Sequence, residues 1–389
     1  MLKTYKEALG KVPIHIQRTV LYDITWYVRS LVNSPEKISF LTVDKKNEFY
    51  SLVMDIFNYI ETDLIFNFNL AGIWYAMKVG MIGSFKKEQY HKSIVYVENL
   101  DREKKQILFS YFDCFNTPYS FRLDKNESIP SYQKKIIHEF FDRPFVTEYR
   151  CWVDYEDEDS LISVLTNGQP SAISLKKMKH VNSLTVRDII RAYQPSLKYS
   201  TDDSWLLMDK VTQGDDNAEH LYRYLMQNHP EKNCYFALSK SSADWDRLNK
   251  EGFKLLEFGT EKFEYHLYKA SKVISSYFDE YISDYFKDKY EYSKKFVFLQ
   301  HGVIHTDLSK WLNDKPNMLC FITTTKDEYQ AIISDDSHYQ VGLKEVVLTG
   351  LPRHDQLLTN NKLDSNIILI MPTWRASVVG EIIGNSNVR

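Results

Sequence analysis

From about Ser204 the chain settles into a fixed alternation of short apolar runs and polar, helix-forming stretches. The apolar runs are WLLMD (205–209), CYFALS (234–239), FKLLEFG (253–259), KVISS (272–276), FVFLQ (296–300), MLCFITT (318–324), EVVLTG (345–350) and IILIMPT (367–373). They are short and rich in β-branched or aromatic residues. Between them lie stretches such as DNAEHLYRYLMQNHP, EKFEYHLYKA and KDEYQAIIS. This rhythm predicts an α/β unit, a mostly parallel sheet with helices on both faces. In such a sheet ligands bind outside the carboxyl ends of the strands.

With 389 residues the chain exceeds one ordinary hydrophobic core, so two or three domains are expected. Hydrophobic residues make up 43% and charged residues 26%, which excludes wholesale disorder. Net charge is −3 without a long basic block, so nucleic acid is not expected as a partner. Cys114, Cys151, Cys234 and Cys320 are far apart and show no metal-binding spacing. They read as reduced thiols of a cytoplasmic protein. The opening MLKTYKEALGKVP has no apolar core of a secretory signal.

Residues 1–200 read as a β-rich domain. KISFLTVD, SIVYVENL, QILFSYFD and FVTEYRCWVDY are short, aromatic and partly alternating. A helix is expected near Thr19 to Val32. The apolar stretch Leu64 to Gly83 carries Asn67, Asn69 and Lys78, and its alternation around Phe66 and Phe68 predicts a buried hairpin rather than a membrane span. The acidic run Tyr155 to Asp159 reads as a solvated turn between strands rather than a metal-binding motif.

The residues at the strand ends can be read directly. Asp209 closes the first run and Gly214, Asp215, Asp216 and Asn217 follow it, while Ser276 closes KVISS and Tyr277 follows it. His301, Gly302 and His305 follow FVFLQ, and Thr324 closes MLCFITT. Arg353 and Asp355 follow EVVLTG, and Thr373 and Arg375 follow IILIMP. His301 is either a loop histidine in a tight turn or a base at the lip of a crevice. The second reading is favoured by Gly302, which permits close backbone approach, and by a following helix N-terminus. Arg353, just after Pro352, sits where a helix should start and suits a phosphate; a surface arginine in a turn is the plain alternative. His301 and His305 lack the glutamate of an HExxH zinc motif, and no glycine-rich or Walker-type phosphate loop is present.

Taken together, WLLMDKVTQGDDNAEHLYRYL, VISSYFDEY, FLQHGVIHTDLSKWLN, FITTTKDEYQAI, EVVLTGLPRHDQLL and IILIMPTWR resemble the CDP-glycerol glycerophosphotransferase family of teichoic-acid and capsule-polymer synthesis. The resemblance covers about Ser204 to Arg375. It implies a GT-B fold, with residues 204–365 as its Rossmann-like acceptor-side half. It implies transfer of glycerol phosphate from CDP-glycerol, or ribitol phosphate from CDP-ribitol, to a hydroxyl of a polyol-phosphate or capsule polymer, with release of CMP. His301 matches the family's proposed general base. Gly302, Asp216, Asn217, Ser276, Thr324, Arg353, Asp355, Thr373 and Arg375 are the expected substrate-binding residues. No metal and no cofactor are expected.

The resemblance also implies a peripheral protein at the inner face of the cytoplasmic membrane, with residues 1–200 contacting acceptor or membrane. The chain stops fourteen residues after Arg375. Residues 366–389 would thus begin a second Rossmann domain of on the order of 100–200 residues, and the chain reads as a fragment lacking it. The alternatives are a GT-B glycosyltransferase using a nucleotide sugar and a non-catalytic acceptor-binding module.

Overall fold

Apolar side chains at helical spacing organise the start of the chain. The computed structural model describes residues 5, 10–89, 93–176, 180–194, 201–278, 282, 285, 296–315, 318–335, 337–360, 368 and 370. Helix Ile14–Leu31 buries Leu21, Ile24 and Val28, and helix Val43–Phe57 buries Tyr50, Val53 and Phe57. These intervals of three and four keep one face on the core. The strand expected over 37–44 is not formed. Pro35–Ile38 is a 3₁₀ turn, and Thr42 caps the next helix by accepting from the Lys45 amide.

The hairpin expected over Leu64 to Gly83 is also helical. It forms helices Thr62–Asn67 and Tyr75–Gly80, the latter running on as the π-helical turn Met81–Lys86. Met77, Met81 and Phe85 recur every four residues and are buried beside Phe140 and Phe145. That period outweighs the brief alternation around Phe66. The glycines serve close packing: a Cβ on Gly80 would lie 2.4 Å from the Phe145 ring, and one on Gly83 would lie 2.5 Å from Cys114. Among the described residues no helix is long and apolar enough to cross a membrane.

Among the described residues ten strands follow: β1 (Ile94–Asp101), β2 (Gln106–Asp113), β3 (Tyr119–Leu123), β4 (Asn126–Ser128), β5 (Tyr132–Glu139), β6 (Pro144–Asp154), β7 (Leu161–Thr166), β8 (Gln169–Pro170), β9 (Ala172–Leu175) and β10 (Ser183–Thr185). They form one sheet of order β5-β6-β2-β1-β9 and another of order β10-β7-β3-β4, with β8 paired to β7. Phe109, Tyr149 and Cys151 from the first sheet meet Phe121, Ile162 and Val164 from the second in one core. Strand residues alternate between faces, so Ser110, Glu148 and Arg150 fall on the other face of β2 and β6. The acidic run after β6 connects to β7, and Asp159 there pairs with Arg187.

The second half of the chain forms β11 (Trp205–Met208), β12 (Cys234–Leu238), β13 (Leu255–Glu257), β14 (Lys272–Ser275), β15 (Phe296–Phe298), β16 (Met318–Thr323) and β17 (Val346–Leu348). All pair in parallel, in the order β13-β12-β11-β14-β15-β16-β17. Leu206, Met208 and Val273 belong to the core on one face, Leu207, Phe236 and Ile274 to the core on the other. Burial on both faces is why these strands read as unbroken apolar runs. The eighth run, 367–373, lies outside the described residues except for Ile368 and Ile370. Residues 1–353 form one unit and 354–389 another.

In an open helix, glycine to alanine gains about 1 kcal/mol. At Gly80 the clash with the buried Phe145 ring should reverse the sign. Gly80→Ala is expected to lower unfolding free energy by about 1–3 kcal/mol in urea titrations; an unchanged or higher midpoint would refute the close packing.

Candidate functional site at the strand ends

The parallel sheet changes winding direction at β11, which lies between β12 and β14. The connections leaving β11 and β14 therefore diverge and open a crevice at their carboxyl ends. Asp209 follows β11 directly and is only 1% exposed. Its carboxylate accepts from the amides of Asp216 (3.2 Å), Ala218 (3.0 Å) and Glu219 (3.1 Å), and from the Ser276 hydroxyl (2.5 Å). Burial pushes its carboxyl up to about 6, against the pull of these donors. It is charged at neutral pH.

Asp216 caps helix Asn217–Asn228, and its side chain accepts from the Asn217 amide. Together Asp209 and Asp216 occupy the first amides of that helix. Asn217 is fully buried and joins two loops: its Nδ2 donates to the Gln300 carbonyl (2.7 Å), and its Oδ1 accepts from the Arg353 amide (3.2 Å). The Arg353 guanidinium donates to Asp216 Oδ1 and to the His301 carbonyl, both at 2.8 Å. Residues far apart in the chain thus hold one another.

His301 sits at the carboxyl end of β15 with its ring stacked on Tyr277, centroids 4.7 Å apart and planes within 6°. Its Nδ1 lies 3.5 Å from the Ser276 carbonyl, a long contact. With the proton on Nδ1 directed there, Nε2 is left as the acceptor. Burial and the nearby Asp216 carboxylate push the Tyr277 phenol up to about 12.

Glu328 anchors the loop that carries His301. Its carboxylate accepts from the amides of Ile304 and Thr324, both at 2.7 Å, and from Gln300 Nε2 at 3.1 Å. Gln300 Nε2 also donates to the Ile322 carbonyl at 2.6 Å. Gln300 adopts φ 57° and is 2% exposed.

Several expected site residues therefore converge: Asp216, Asn217, Ser276, His301 and Arg353 form one hydrogen-bonded cluster. Thr324 borders it, with a buried Oγ1 that has no hydrogen-bond partner. Gly302 lies in open space beside His301. A Cβ there would meet nothing within 4 Å, and the left-handed residue of the turn is Gln300. No helix N-terminus follows His301 closely: the next helix, Ser309–Asn313, is short, and Asp307 accepts from its first amide. Asp355 lies in the second unit, where the Thr359 hydroxyl donates to its carbonyl. Thr373 and Arg375 lie outside the described residues. Among the described residues no group of three His, Cys, Asp or Glu side chains is placed to hold a metal ion.

Three organising residues had no role in the sequence reading. Asp209 was visible as an acid ending a buried strand. Glu328 stands three after Thr325, the capping-box spacing, and Thr325 does accept from its amide. Instead of returning to the cap residue's own amide, the Glu328 carboxylate reaches Thr324 and Ile304. Gln300 gave no signal, because a left-handed glutamine has no sequence mark.

The fold and the strand-end cluster define an α/β unit with a hydrogen-bonded polar cluster at the carboxyl edge of its parallel sheet. The chain belongs to the CDP-glycerol:poly(glycerophosphate) glycerophosphotransferase family, whose model matches residues 193–388. Over 183 residues it is 34% identical to the minor teichoic acid biosynthesis protein GgaB of Bacillus subtilis (strain 168), covering 45% of this chain and 20% of that protein. The chain thus spans about a fifth of the length of this curated relative.

The loop before helix Asn217–Asn228 rests on buried Glu219, which accepts from Arg247, Arg223 and the Asp215 amide. Burial alone would raise its carboxyl, but the two guanidinium groups outweigh it and hold it at about 2. The folded value lies below the unfolded one, so this stability is present above about pH 4.5 and is lost as pH falls toward 2. Glu219→Gln should remove about 2–3 kcal/mol at pH 7, and the difference from wild type should shrink steadily below pH 4.5. Urea midpoints across pH test it; a constant difference would refute the pairing.

Proposed function

We propose that the strand-end cluster carries glycerol phosphate transfer from CDP-glycerol to a hydroxyl of a polyol-phosphate polymer. Residues 204–365 serve as the acceptor-side half of a GT-B fold, with residues 366–389 opening its second half. The observation that carries the reading is the fixed placement of His301, by Arg353 through its carbonyl and by Tyr277 through its ring, inside the family-matched region.

His301 Nε2 takes the proton of the acceptor hydroxyl. The freed oxygen attacks the phosphorus that bears glycerol. The bond from that phosphorus to the bridging oxygen breaks, and CMP leaves with the electron pair. Both phosphate charges must be met at the site. The Arg353 guanidinium already serves Asp216 and the His301 carbonyl, so its main part is to position the base.

Residues 1–200 are assigned to acceptor or membrane contact at the inner face of the cytoplasmic membrane. The exposed Trp26, Tyr27 and Phe40 in the helical first part support an interfacial role.

Release of CMP from CDP-glycerol in the presence of a glycerophosphate-ended acceptor tests the reaction, and CDP-ribitol in parallel tests the donor alcohol. His301→Ala should lower turnover by about 10²–10⁴-fold with an unchanged melting curve. If it keeps more than about half of its turnover, the base assignment fails. Arg353→Ala should lower kcat with little effect on donor KM, and Arg353→Lys should rescue it poorly, because two partners are held by one planar fork. A pure KM effect would instead make Arg353 a donor ligand.

A further inference from the structure

A second polar centre lies in the first half of the chain. A cavity of about 510 Å³ opens where helix Ile14–Leu31, the outer face of β6 and the loop after helix Ser309–Asn313 meet. It shares no residue with the His301 cluster. Its size falls in the range of small-molecule sites.

One wall is a hydrogen-bonded chain. Asn33, left-handed just past the end of helix Ile14–Leu31, accepts from the Glu139 amide through Oδ1 (2.9 Å). Its Nδ2 is thereby aimed at His138 Nδ1, 2.8 Å away. Nδ1 accepts, so the His138 proton sits on Nε2 and is donated to Glu148 (3.3 Å). The other Glu148 oxygen accepts from Arg150 Nη1 (2.9 Å). Arg150 Nε is buried and has no hydrogen-bond partner.

The lining carries Arg29, Arg150 and Lys315 against Glu98, Glu148 and Asp314. Three cations meet three anions, and the His138 ring is turned to Asn33 and Glu148. No surplus charge is present to hold a phosphate dianion. The Gln340 side-chain amide adds a donor and an acceptor, while the Asn313 amide donates to the His338 carbonyl and accepts from the Gln340 backbone amide. On the apolar side stand Met77, Phe112, Phe145 and Trp74, the last 68% exposed. Hydroxyl groups donate and accept at once, which suits such a mixed rim, and an indole face attracts the polarised C–H groups of a sugar ring.

We propose that this cavity binds a neutral sugar residue, through Trp74 on its C–H face and the Arg150, Glu98 and amide groups on its hydroxyls. The proposal goes beyond the transfer reaction and does not depend on it, since binding requires neither donor nor turnover.

Calorimetric titration of the protein with methyl glucopyranoside, and separately with glycerol 3-phosphate, tests it. The glycoside should bind in the millimolar range. Trp74→Ala should weaken it by about tenfold or more, and Tyr224→Ala, at an exposed aromatic outside the cavity, should not. Trp74 is too exposed for its loss to unfold the chain, and matching melting curves would verify this. The proposal is overturned if the glycoside does not bind, if Trp74→Ala binds it as well as wild type, or if glycerol 3-phosphate binds as tightly and with the same Trp74 dependence.

Discussion

The ionised, buried carboxylate of Asp209 is the interaction on which the strand-end site depends. A charge in a nearly dry position is tolerable only when donors surround it. Here three backbone amides and the Ser276 hydroxyl do so. The same bonds fix the end of β11, the start of helix Asn217–Asn228 and the end of β14 relative to one another. Asn217 and Arg353 can then reach across to β15. A consequence follows for ligand chemistry. The helix amides that would otherwise attract an anion are spent on Asp209 and Asp216, so a bound phosphate must be met by side chains or by other backbone.

The turn that delivers His301 has its own cost. A left-handed conformation for a residue with a Cβ costs roughly 1–2 kcal/mol. Gln300 bears it in place of the adjacent Gly302. The gain lies in what a glutamine side chain can do from that position: it bonds the Ile322 carbonyl and Glu328, joining β15 to β16. Glycine would remove the strain and lose the bond. Such strain, held by its surroundings at a strand end, is characteristic of functional loops.

The parallel half of the fold was legible because burial on both faces leaves a plain mark, an unbroken apolar run. All seven runs within the described residues form strands, and the strand-end position of His301 follows from chain order alone. The first ninety residues were less legible. Their helices carry aromatics that also suit strands, and the alternation at Phe66 to Phe68 imitates a strand over too few residues to decide. Met77, Met81 and Phe85 held the better period. At the site, single residues such as Asp216, Asn217 and Arg353 could be placed from their position after a strand. Their mutual bonds could not, since Asn217 meets Arg353 across more than a hundred residues of chain.

Unmet polar groups show where this frame is incomplete. Among the described residues, three buried side-chain atoms lack a partner: Thr324 Oγ1, Arg150 Nε and His266 Nδ1. A buried donor or acceptor left unpaired costs about 1–3 kcal/mol. Thr324 borders the His301 cluster, and Arg150 lines the charge-balanced cavity. Both sites are otherwise densely bonded, so the orphan atoms do not reflect loose packing. A ligand that supplies the missing partner recovers that cost on binding, whereas one of the same shape without it does not, and this difference is a source of selectivity. His266 is the counterexample: it packs against Tyr235, and nothing in the structure explains its unpaired nitrogen. The correlation is therefore carried by the neighbourhoods of Thr324 and Arg150, where cavity, charge and strand-end geometry agree with it.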